Sequence, residues 1–338
     1  MTREHWLSFD ESSDGFTGLR WLLICFAVCF AAWHVATNLL INEPPIWQNA
    51  IHFGGFAFLA SIIFPAKFFG RSSLTLDAMY GLVVALSACW VVAAESRIYE
   101  DTLAITGQAW QFNLIDWLAG SVLIFAAFDF SRRVSGWVIP VLIVVAISYI
   151  LFLGEYLPGV FRAASLPLDD ILFRTIYNDE GLFGILANIS SSNIALFMIF
   201  GGFLVVSGAS DFVIEISKVV AGRIRGGAAF VAVLSSALTG TISGSAVANT
   251  ASTGVITIPL MKSTGFRGRF AAGIEAAAST GGQLMPPIMG AGAFVMASYT
   301  SIPYATIVAV SVIPAFLYFL SVAFVVRIEA VKHRVGEA

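Results

Sequence analysis

Long apolar runs, each able to cross a lipid bilayer, recur along the whole chain. A membrane-spanning helix needs about 20 predominantly apolar residues. The runs of roughly this length lie near residues 19–41, 47–65, 77–94, 115–131, 137–153, 182–207, 270–299 and 304–326. This pattern predicts an all-α integral membrane protein with about eight transmembrane helices.

Basic residues between the spans indicate how the helices are oriented. Arg132 and Arg133 follow the fourth span, and the chain after the last span is also basic. The loops at 42–46 and 300–303, which lie on the opposite side, contain no Lys or Arg. Because Lys and Arg concentrate in cytoplasmic loops, the sequence predicts a multi-pass protein with both termini in the cytoplasm.

Residues 226–261 do not fit this alternation, because basic residues flank the segment on both sides. The flanking residues are Lys218, Arg223 and Arg225 before it, and Lys262, Arg267 and Arg269 after it. A re-entrant hairpin with its turn near Ser243 to Asn249 keeps both flanks on one side, and this is the interpretation we adopt. The alternative is one tilted span packed through Gly240 and Gly244, which would reverse the orientation of everything downstream.

Two stretches of small residues interrupt the apolar runs of the second half. They read TGTISGSAVANTASTG at 239–254 and ASTGGQLMPPIMGAG at 278–292. Gly costs about 1 kcal/mol and Pro about 3 kcal/mol in a helix interior, so the second stretch predicts a broken helix within 270–299. Irregular backbone at membrane depth occurs where it is buried in protein or lines a cavity. Paired interruptions of this kind point to the binding site of a secondary transporter.

The residues of the two breaks suit a desolvated cation such as Na⁺. Unwound backbone carbonyls and helix C-terminal ends supply oxygen ligands without a full charge. Ser243, Ser245 and Asn249 add side-chain oxygens, and Gly244 lets the backbone approach closely. The alternative is that these small residues only permit close helix packing.

Glu275 is an acidic residue inside the seventh span. Intramembrane acids are candidates for function by default. Three roles stay open from the sequence: carrying a proton, shaping the cation site electrostatically, or forming an ion pair with Arg267 or Arg269 near the inner surface.

Composition agrees with a membrane protein and excludes several function classes. Hydrophobic residues make up 58% of the chain and charged residues 12%, against roughly 25% charge in soluble domains. The net charge of −3 is too small and dispersed to indicate a nucleic-acid partner. The three Cys residues lie in apolar spans, so no disulfide framework is predicted. No cofactor, metal, nucleophile or P-loop motif is present, and we therefore expect no enzyme activity.

One loop carries a further prediction. Within the outer segment 154–181 and just beyond it, residues 166–183 read LPLDDILFRTIYNDEGLF, with apolar side chains at roughly helical spacing. This spacing is typical of an amphipathic helix, and we interpret it as a helix that lies along the membrane surface.

The second half of the chain resembles the large membrane subunit of a TRAP (tripartite ATP-independent periplasmic) transporter. The residues that carry the resemblance are GTISGSAVANTASTGVITIPLMKSTGF, which begins at Gly240, and AAGIEAAASTGGQLMPPIMGAGAFVM, which begins at Ala271. Four spans and a connecting helix before them resemble the fused form, in which small and large subunits make one chain, as in the TAXI class.

The resemblance implies a function and a set of partners. It implies a permease in the bacterial inner membrane that imports an organic anion, a carboxylate, delivered by a periplasmic binding protein. An ion gradient would drive transport, with Na⁺ as the expected coupling ion and H⁺ as the other option. Matched to the family's pattern, the cation-binding residues are Ser243, Gly244, Ser245, Asn249, Thr280, Gly281, Gly282 and Pro286.

The resemblance also implies a domain division. Residues 1–133 would form a small-subunit-like scaffold, 134–181 a connecting helix and outer loop, and 182–338 the first repeat of the large subunit. The family's large subunit has two inverted repeats that move as an elevator, and this chain contains one. We therefore expect half of such a transporter, with a second chain that carries the missing repeat as a partner. The alternative is a structural membrane subunit that does not transport.

Overall fold

A computed structural model of the chain describes residues 17–64, 74–104, 110–222, 224 and 226–333. The regular elements in these ranges are helical. The α-helices are α1 (Thr17–Leu39), α2 (Pro45–Ile63), α3 (Leu74–Ala104), α4 (Leu114–Ser135), α5 (Val138–Ser148), α6 (Leu168–Leu172), α7 (Ile185–Ile189), α8 (Ala195–Val206), α9 (Ala209–Ala221), α10 (Gly227–Ser243), α11 (Ala246–Ser263), α12 (Gly268–Gly281), α13 (Ala291–Thr300) and α14 (Tyr304–Lys332). Short π-helical and 3₁₀ turns extend several of them, including Tyr149–Leu153 after α5 and Ser190–Ile194 between α7 and α8.

Seven helical stretches in the described part of the chain are long and apolar enough to cross a membrane. They correspond to the first six predicted spans and the last one. The remaining predicted span, 270–299, is divided between α12 and α13. The predicted all-α membrane architecture is therefore confirmed, and in the span that the sequence marks as interrupted, residues without helix separate α12 from α13.

Capping residues set the ends of several helices. Asn113 begins α4 with a capping box: its side chain accepts from the Asp116 amide, and the Asp116 carboxylate accepts from the Asn113 amide. Such reciprocal caps satisfy amides that have no partner within the helix. Pro45 begins α2 and Pro303 precedes α14, where the fixed φ of proline suits a first turn and its missing N–H costs nothing.

The chain forms two compact units, Met1–Ser192 and Asn193–Ala338. The core of the first unit lies among α2, α3, α4 and the helical turns that follow Leu168. Close packing here depends on small residues: a Cβ added to Gly54 of α2 would lie 2.9 Å from the Ala88 Cβ of α3. Cys25, Cys29 and Cys89 are free and exposed on α1 and α3.

Residues 166–183 do not form the predicted helix on the membrane surface. The segment begins with α6 and continues as a π turn, Phe173–Tyr177. Phe173, Ile176 and Tyr177 are buried in the core of the first unit, and the Tyr177 hydroxyl donates to the Asp116 carbonyl. Burial raises the pKa of this phenol, and the nearby Asp116 carboxylate adds to the effect. The interpretation was wrong because protein, not lipid, covers the apolar face.

A buried polar cluster closes the first unit at the end nearest α7. The Asn49 Nδ2 donates to the Phe183 carbonyl at 2.8 Å, and its Oδ1 accepts from the Ser191 hydroxyl at 2.7 Å. Gln48 and Asn38 donate to the Ser191 carbonyl. Both polar ends of the Asn49 side chain are therefore satisfied, as buried amides normally are.

The second unit packs α10, α11, α12 and α14 around small apolar residues. Ala229, Ala232 and Ala278 are buried at its centre together with Met261 and Val326. A close backbone approach joins α10 to the residue that follows α12: a Cβ added to Gly240 would lie 2.3 Å from the Gly282 Cα. The two backbones are thus in contact with no side chain between them.

We predict that Gly240→Ala destabilises the protein by about 1–3 kcal/mol. The new methyl group meets backbone atoms of Gly282, which cannot move aside as a flexible side chain can. The matched control is Gly273→Ala in α12, because nothing lies within 4 Å of a Cβ at that position. The control should be neutral or stabilising by up to about 1 kcal/mol, since Ala favours helix over Gly.

Thermal unfolding of the purified chain in lipid nanodiscs measures both effects. Equal midpoints for the two variants would show that the backbones do not meet at Gly240.

Candidate functional site

The residues 227–263 form an antiparallel helical hairpin. Ser236 and Thr253, which lie eight residues before and nine residues after Gly244, have their hydroxyl oxygens 3.2 Å apart. Gly244 makes the turn with φ of +59°, a conformation that costs glycine little and other residues more. Ser245 then caps α11, its hydroxyl accepting from the Ala248 amide at 3.3 Å. The hairpin and the position of its turn agree with the sequence prediction, and a single straight span through this segment is excluded.

The second break separates α12 from α13. After Gly281 the chain makes a 3₁₀ turn, Gly282–Leu284, and then runs without helix as far as Gly290. The Gly290 amide closes this segment by donating to the Gln283 carbonyl at 2.8 Å. Met289 adopts φ of +60°, which is uncommon for a residue other than glycine.

The two breaks lie against each other. A Cβ at Gly244 would lie 2.0 Å from the Met289 carbonyl oxygen, and a Cβ at Gly282 would lie 3.1 Å from the Asn249 Nδ2. The contact between Gly240 and Gly282 therefore places the last turn of α10 beside the end of α12. Helix C-termini carry about half a negative charge from their unpaired carbonyls. Two such ends converge here, which favours a cation.

Three buried side-chain oxygens near this contact have no hydrogen-bond partner among the described residues: Thr239 Oγ1, Ser243 Oγ and Asn249 Oδ1. Thr239 and Ser243 are four residues apart and so share one face of α10. Asn249 is fully buried, and its Nδ2 donates to the Ser236 carbonyl at 2.8 Å. A buried polar atom without a partner costs about 1–3 kcal/mol. Three such oxygens on the two arms of one hairpin therefore call for a ligand or another functional explanation.

The structure brings some of the predicted cation-binding residues together and separates others. Ser243, Gly244, Asn249 and Gly282 all lie at the meeting point of the two breaks. Thr280 does not: it is exposed, and its hydroxyl donates to the Ala276 carbonyl at 2.7 Å.

The other three predicted residues have different surroundings. The Ser245 side chain serves as the cap of α11. Gly281 packs against α14, where a Cβ would lie 2.3 Å from a ring carbon of Tyr318. Pro286 is half-buried in the segment between the two helix fragments. Their assignment to cation binding stays a prediction.

Glu275 is fully buried, and four hydroxyl groups lie within hydrogen-bond distance of its carboxyl group. These belong to Ser236 of α10, Thr253 and Thr257 of α11, and Ser279 of α12. Within the described residues the carboxylate forms no ion pair, so the pairing with Arg267 or Arg269 that the sequence allowed is not formed. Glu275 instead joins both arms of the hairpin to α12.

Two tyrosines of α14 donate to backbone carbonyls, one in the second break and one in α12, and sequence reasoning missed both. The Tyr304 hydroxyl donates to the carbonyls of Pro287 and Ile288, at 2.8 and 2.6 Å. The Tyr318 hydroxyl donates to the Ala277 carbonyl at 2.8 Å. Tyr304 and Tyr318 lie in an apolar span, and aromatic residues of such spans are normally interpreted as interfacial anchors. The sequence therefore did not indicate that they donate hydrogen bonds to backbone carbonyls. Thr239 was also missed, although its spacing from Ser243 places it on the same helix face.

A helical hairpin and an interrupted helix, in a chain with several apolar spans, are features of multi-pass membrane transporters. The chain belongs to the family described as tripartite ATP-independent periplasmic transporter, DctM component, whose match covers residues 122–338. This is a family of membrane permeases, not of enzymes, and membership together with the apolar helices makes the chain a multi-pass inner-membrane protein.

Several curated relatives share the same region. The C4-dicarboxylate TRAP transporter large permease protein DctM of Vibrio cholerae is 30% identical over 151 residues, which is 42% of this chain and 33% of the relative. The protein of the same name from Pseudomonas aeruginosa is 34% identical over 137 residues, 40% of this chain and 32% of the relative.

The 2,3-diketo-L-gulonate TRAP transporter large permease protein YiaN of Escherichia coli is 29% identical over 117 residues, 35% of this chain and 26% of the relative. The chain therefore spans about a third or less of the length of these relatives. No solved structure matches the chain at a significant level.

We predict that Tyr304→Phe lowers the free energy of unfolding by about 0.5–1.5 kcal/mol, the usual net value of a hydrogen bond. The ring keeps its stacking on Phe294, but the carbonyls at 287 and 288 lose their donor. The control is Tyr299→Phe, which removes the hydroxyl of an exposed tyrosine on α13. Thermal unfolding compares the two, and a control that loses as much stability as the Tyr304 variant would contradict this role.

Proposed function

We propose that this chain is the permease component of an ion-gradient-driven TRAP-type secondary transporter. In this proposal it imports an organic anion, a carboxylate, that a periplasmic binding protein delivers. The observation that carries the proposal is the meeting of two helix C-termini with three unpartnered buried oxygens at the contact of Gly240 with Gly282. Membership of the DctM family supports the binding-protein partner and the substrate class.

Sodium is the coupling ion that these groups suit best. Na⁺ is bound by neutral oxygens, and unwound backbone and half-helix C-termini supply them in transporters. The Thr239, Ser243 and Asn249 side chains offer such oxygens beside the ends of α10 and α12. When the ion leaves a site made of neutral oxygens, no full charge remains at membrane depth. A carboxylate ligand would leave its negative charge there.

Two helix N-termini lie near the turn at Gly244, because a Cβ added to Gly290 would lie 3.5 Å from the Gly244 carbonyl oxygen. α11 begins just after the turn at Gly244, and α13 begins just after Gly290. The first amides of a helix have no partner within it and bear a partial positive charge. Carboxylates bind at such ends, and the names of the relatives refer to C4-dicarboxylate and 2,3-diketo-L-gulonate. We therefore propose a carboxylate group of the substrate near the starts of α11 and α13.

The proposal includes an assembly larger than this chain. The chain spans about a third of the length of its relatives. We therefore propose that a second repeat, carried by a second chain of the assembly, completes the substrate cavity. Residues 1–133 would act as the fused small-subunit-like scaffold of the TAXI-like form. The competing function is a structural membrane subunit that stabilises a partner without moving ions. A measurement of Na⁺ binding distinguishes the two functions.

We expect Asn249→Leu to weaken Na⁺ binding by about 10- to 100-fold, because a lost buried polar partner costs about 1–3 kcal/mol. The measurement is the rise of the unfolding temperature with Na⁺, in nanodiscs that contain the chain and any second chain of the assembly. A ligand at 100 times its Kd stabilises the folded state by about 2.7 kcal/mol.

Asn49→Leu is the matched control for this experiment. Both asparagines are buried and both donate from Nδ2 to a backbone carbonyl at 2.8 Å, but the Asn49 Oδ1 has a partner and the Asn249 Oδ1 has none. The control should lose stability and keep its full response to Na⁺. Equal Na⁺ responses in the parent and both variants would refute the cation site and favour the structural subunit.

The orientation of the hairpin gives an independent test. Single cysteines at Glu215 and Ser263, both exposed, should react with a membrane-impermeant thiol reagent only from the cytoplasmic side. Lys and Arg bracket the hairpin on both flanks, which supports this arrangement. The native cysteines are exposed and must be replaced first. Labelling of the two positions from opposite sides would contradict the proposed orientation.

A further inference from the structure

The Glu275 carboxyl group lies at the centre of the second unit, between three helices. Its side chain is 0% exposed, and a Cβ added to Gly254 of α11 would lie 3.2 Å from the Glu275 Cγ. Ser236 Oγ and Ser279 Oγ lie 3.0 and 3.2 Å from its Oε1. Atoms of three helices therefore contact this side chain directly.

No basic side chain in the described part of the chain compensates a negative charge on Glu275. α10 contains no titratable residue, α11 contains only Lys262, and α12 contains Arg269 besides Glu275 itself. Lys262 and Arg269 are exposed at helix ends. On α14, which packs against α12, the titratable side chains are Tyr304, Tyr318, Arg327, Glu329 and Lys332. The Tyr304 hydroxyl is directed to the Pro287 and Ile288 carbonyls, and the Tyr318 hydroxyl is directed to the Ala277 carbonyl. A lone buried charge is costly, and a buried carboxyl group commonly takes up a proton for this reason.

The hydrogen bonds are distributed unevenly over the two carboxyl oxygens. Oε1 accepts from three hydroxyls, those of Ser236, Thr253 and Ser279. Oε2 contacts a single hydroxyl, that of Thr257. A carboxylic acid has this asymmetry, because its carbonyl oxygen only accepts whereas its hydroxyl oxygen carries a proton to donate.

Thr257 has a second acceptor within reach. Its Oγ1 lies 3.0 Å from the Thr253 carbonyl oxygen, one turn earlier in α11. The Thr257 hydroxyl has one proton, and rotation about the C–O bond directs it to the Thr253 carbonyl or to the Glu275 Oε2. Both arrangements leave all the heavy atoms in place.

We propose that Glu275 is a proton-binding site and that the Thr257 hydroxyl reverses its hydrogen bond as the proton arrives or leaves. In the protonated form, Oε2–H donates to Thr257 Oγ1, and Thr257 donates to the Thr253 carbonyl. In the ionised form the proton has left Oε2, and Thr257 donates to Oε2 instead. Every polar atom of the pair keeps a partner in both forms. This proposal concerns the chain itself and stands whether or not the proposed transport function is correct.

Infrared difference spectroscopy of the chain in lipid nanodiscs tests the proposal directly, because a protonated carboxyl group has a C=O band that an ionised one lacks. The parent should show a band that appears as the pH is lowered. Glu275→Gln should lack this band. Gln keeps the carbonyl acceptor and a donor towards Thr257, so it mimics the protonated form and should fold.

Thr257→Val tests the reversal of the hydrogen bond. It removes a donor from the ionised carboxylate and an acceptor from the acid, and hydrogen bonds to charged groups are the stronger ones. The titration midpoint should therefore rise by about one pH unit. The control is Thr250→Val on the same helix, whose hydroxyl donates only to the Ala246 carbonyl at 2.9 Å, and it should leave the midpoint unchanged.

Two results would overturn the proposal. One is that the parent and Glu275→Gln show the same pH-dependent carboxyl bands. Glu275 would then be a structural group that stays charged or stays neutral. The other is an equal midpoint in the parent, Thr250→Val and Thr257→Val, which would remove Thr257 from the site.

Discussion

The contact between the backbones at Gly240 and Gly282 is the constraint on which the second unit depends. Helices normally pack 8–10 Å apart with side chains between them, and here the missing side chains bring main-chain atoms together. The contact fixes the end of α10 against the end of α12. As a result, the turn at Gly244 contacts the Met289 carbonyl, and the side-chain amide of Asn249 lies beside Gly282. Small residues at these positions thus determine the geometry of the site before any polar group contributes.

The sequence predicted the fold of this region well because the relevant forces are local or concern the bilayer. Apolar length locates the spans, the basic flanks indicate a hairpin, and Gly and Pro mark where a helix is interrupted. The turn at Gly244 and the end of α12 at Gly281 lie inside the predicted breaks. For the segment 166–183 the same reasoning gave a wrong prediction, a helix on the membrane surface. An apolar helix face predicts burial but does not indicate whether lipid or protein covers it.

The site was predicted only in part, because its polar contacts join residues that are distant in the chain. Asn249 and Ser243 were identified from composition, yet the partnership of Asn249 with the Ser236 carbonyl depends on how α10 and α11 pack. Thr280 and Ser279 are neighbours of the same chemical type, and helix geometry directs one to an exposed face and the other to Glu275. No pattern in one helix reveals which hydroxyl a second helix will meet. The tyrosine hydroxyls that hold the second break were hidden for the same reason.

Ser236 connects the two polar features of the hairpin. The Ser236 backbone carbonyl accepts a hydrogen bond from the side-chain amide of Asn249, and the Ser236 hydroxyl donates one to Glu275. Thr253 forms a second connection, because its hydroxyl lies within hydrogen-bond distance of both the Asn249 carbonyl and the Glu275 carboxylate. Mere proximity does not couple two sites; coupling requires an element with two arrangements that both sites bias. The Thr253 hydroxyl has one proton and two acceptors, the Asn249 carbonyl and the Glu275 carboxyl group. It is therefore the group through which we expect a change of protonation at Glu275 to affect the backbone at Asn249, without any movement of the helices.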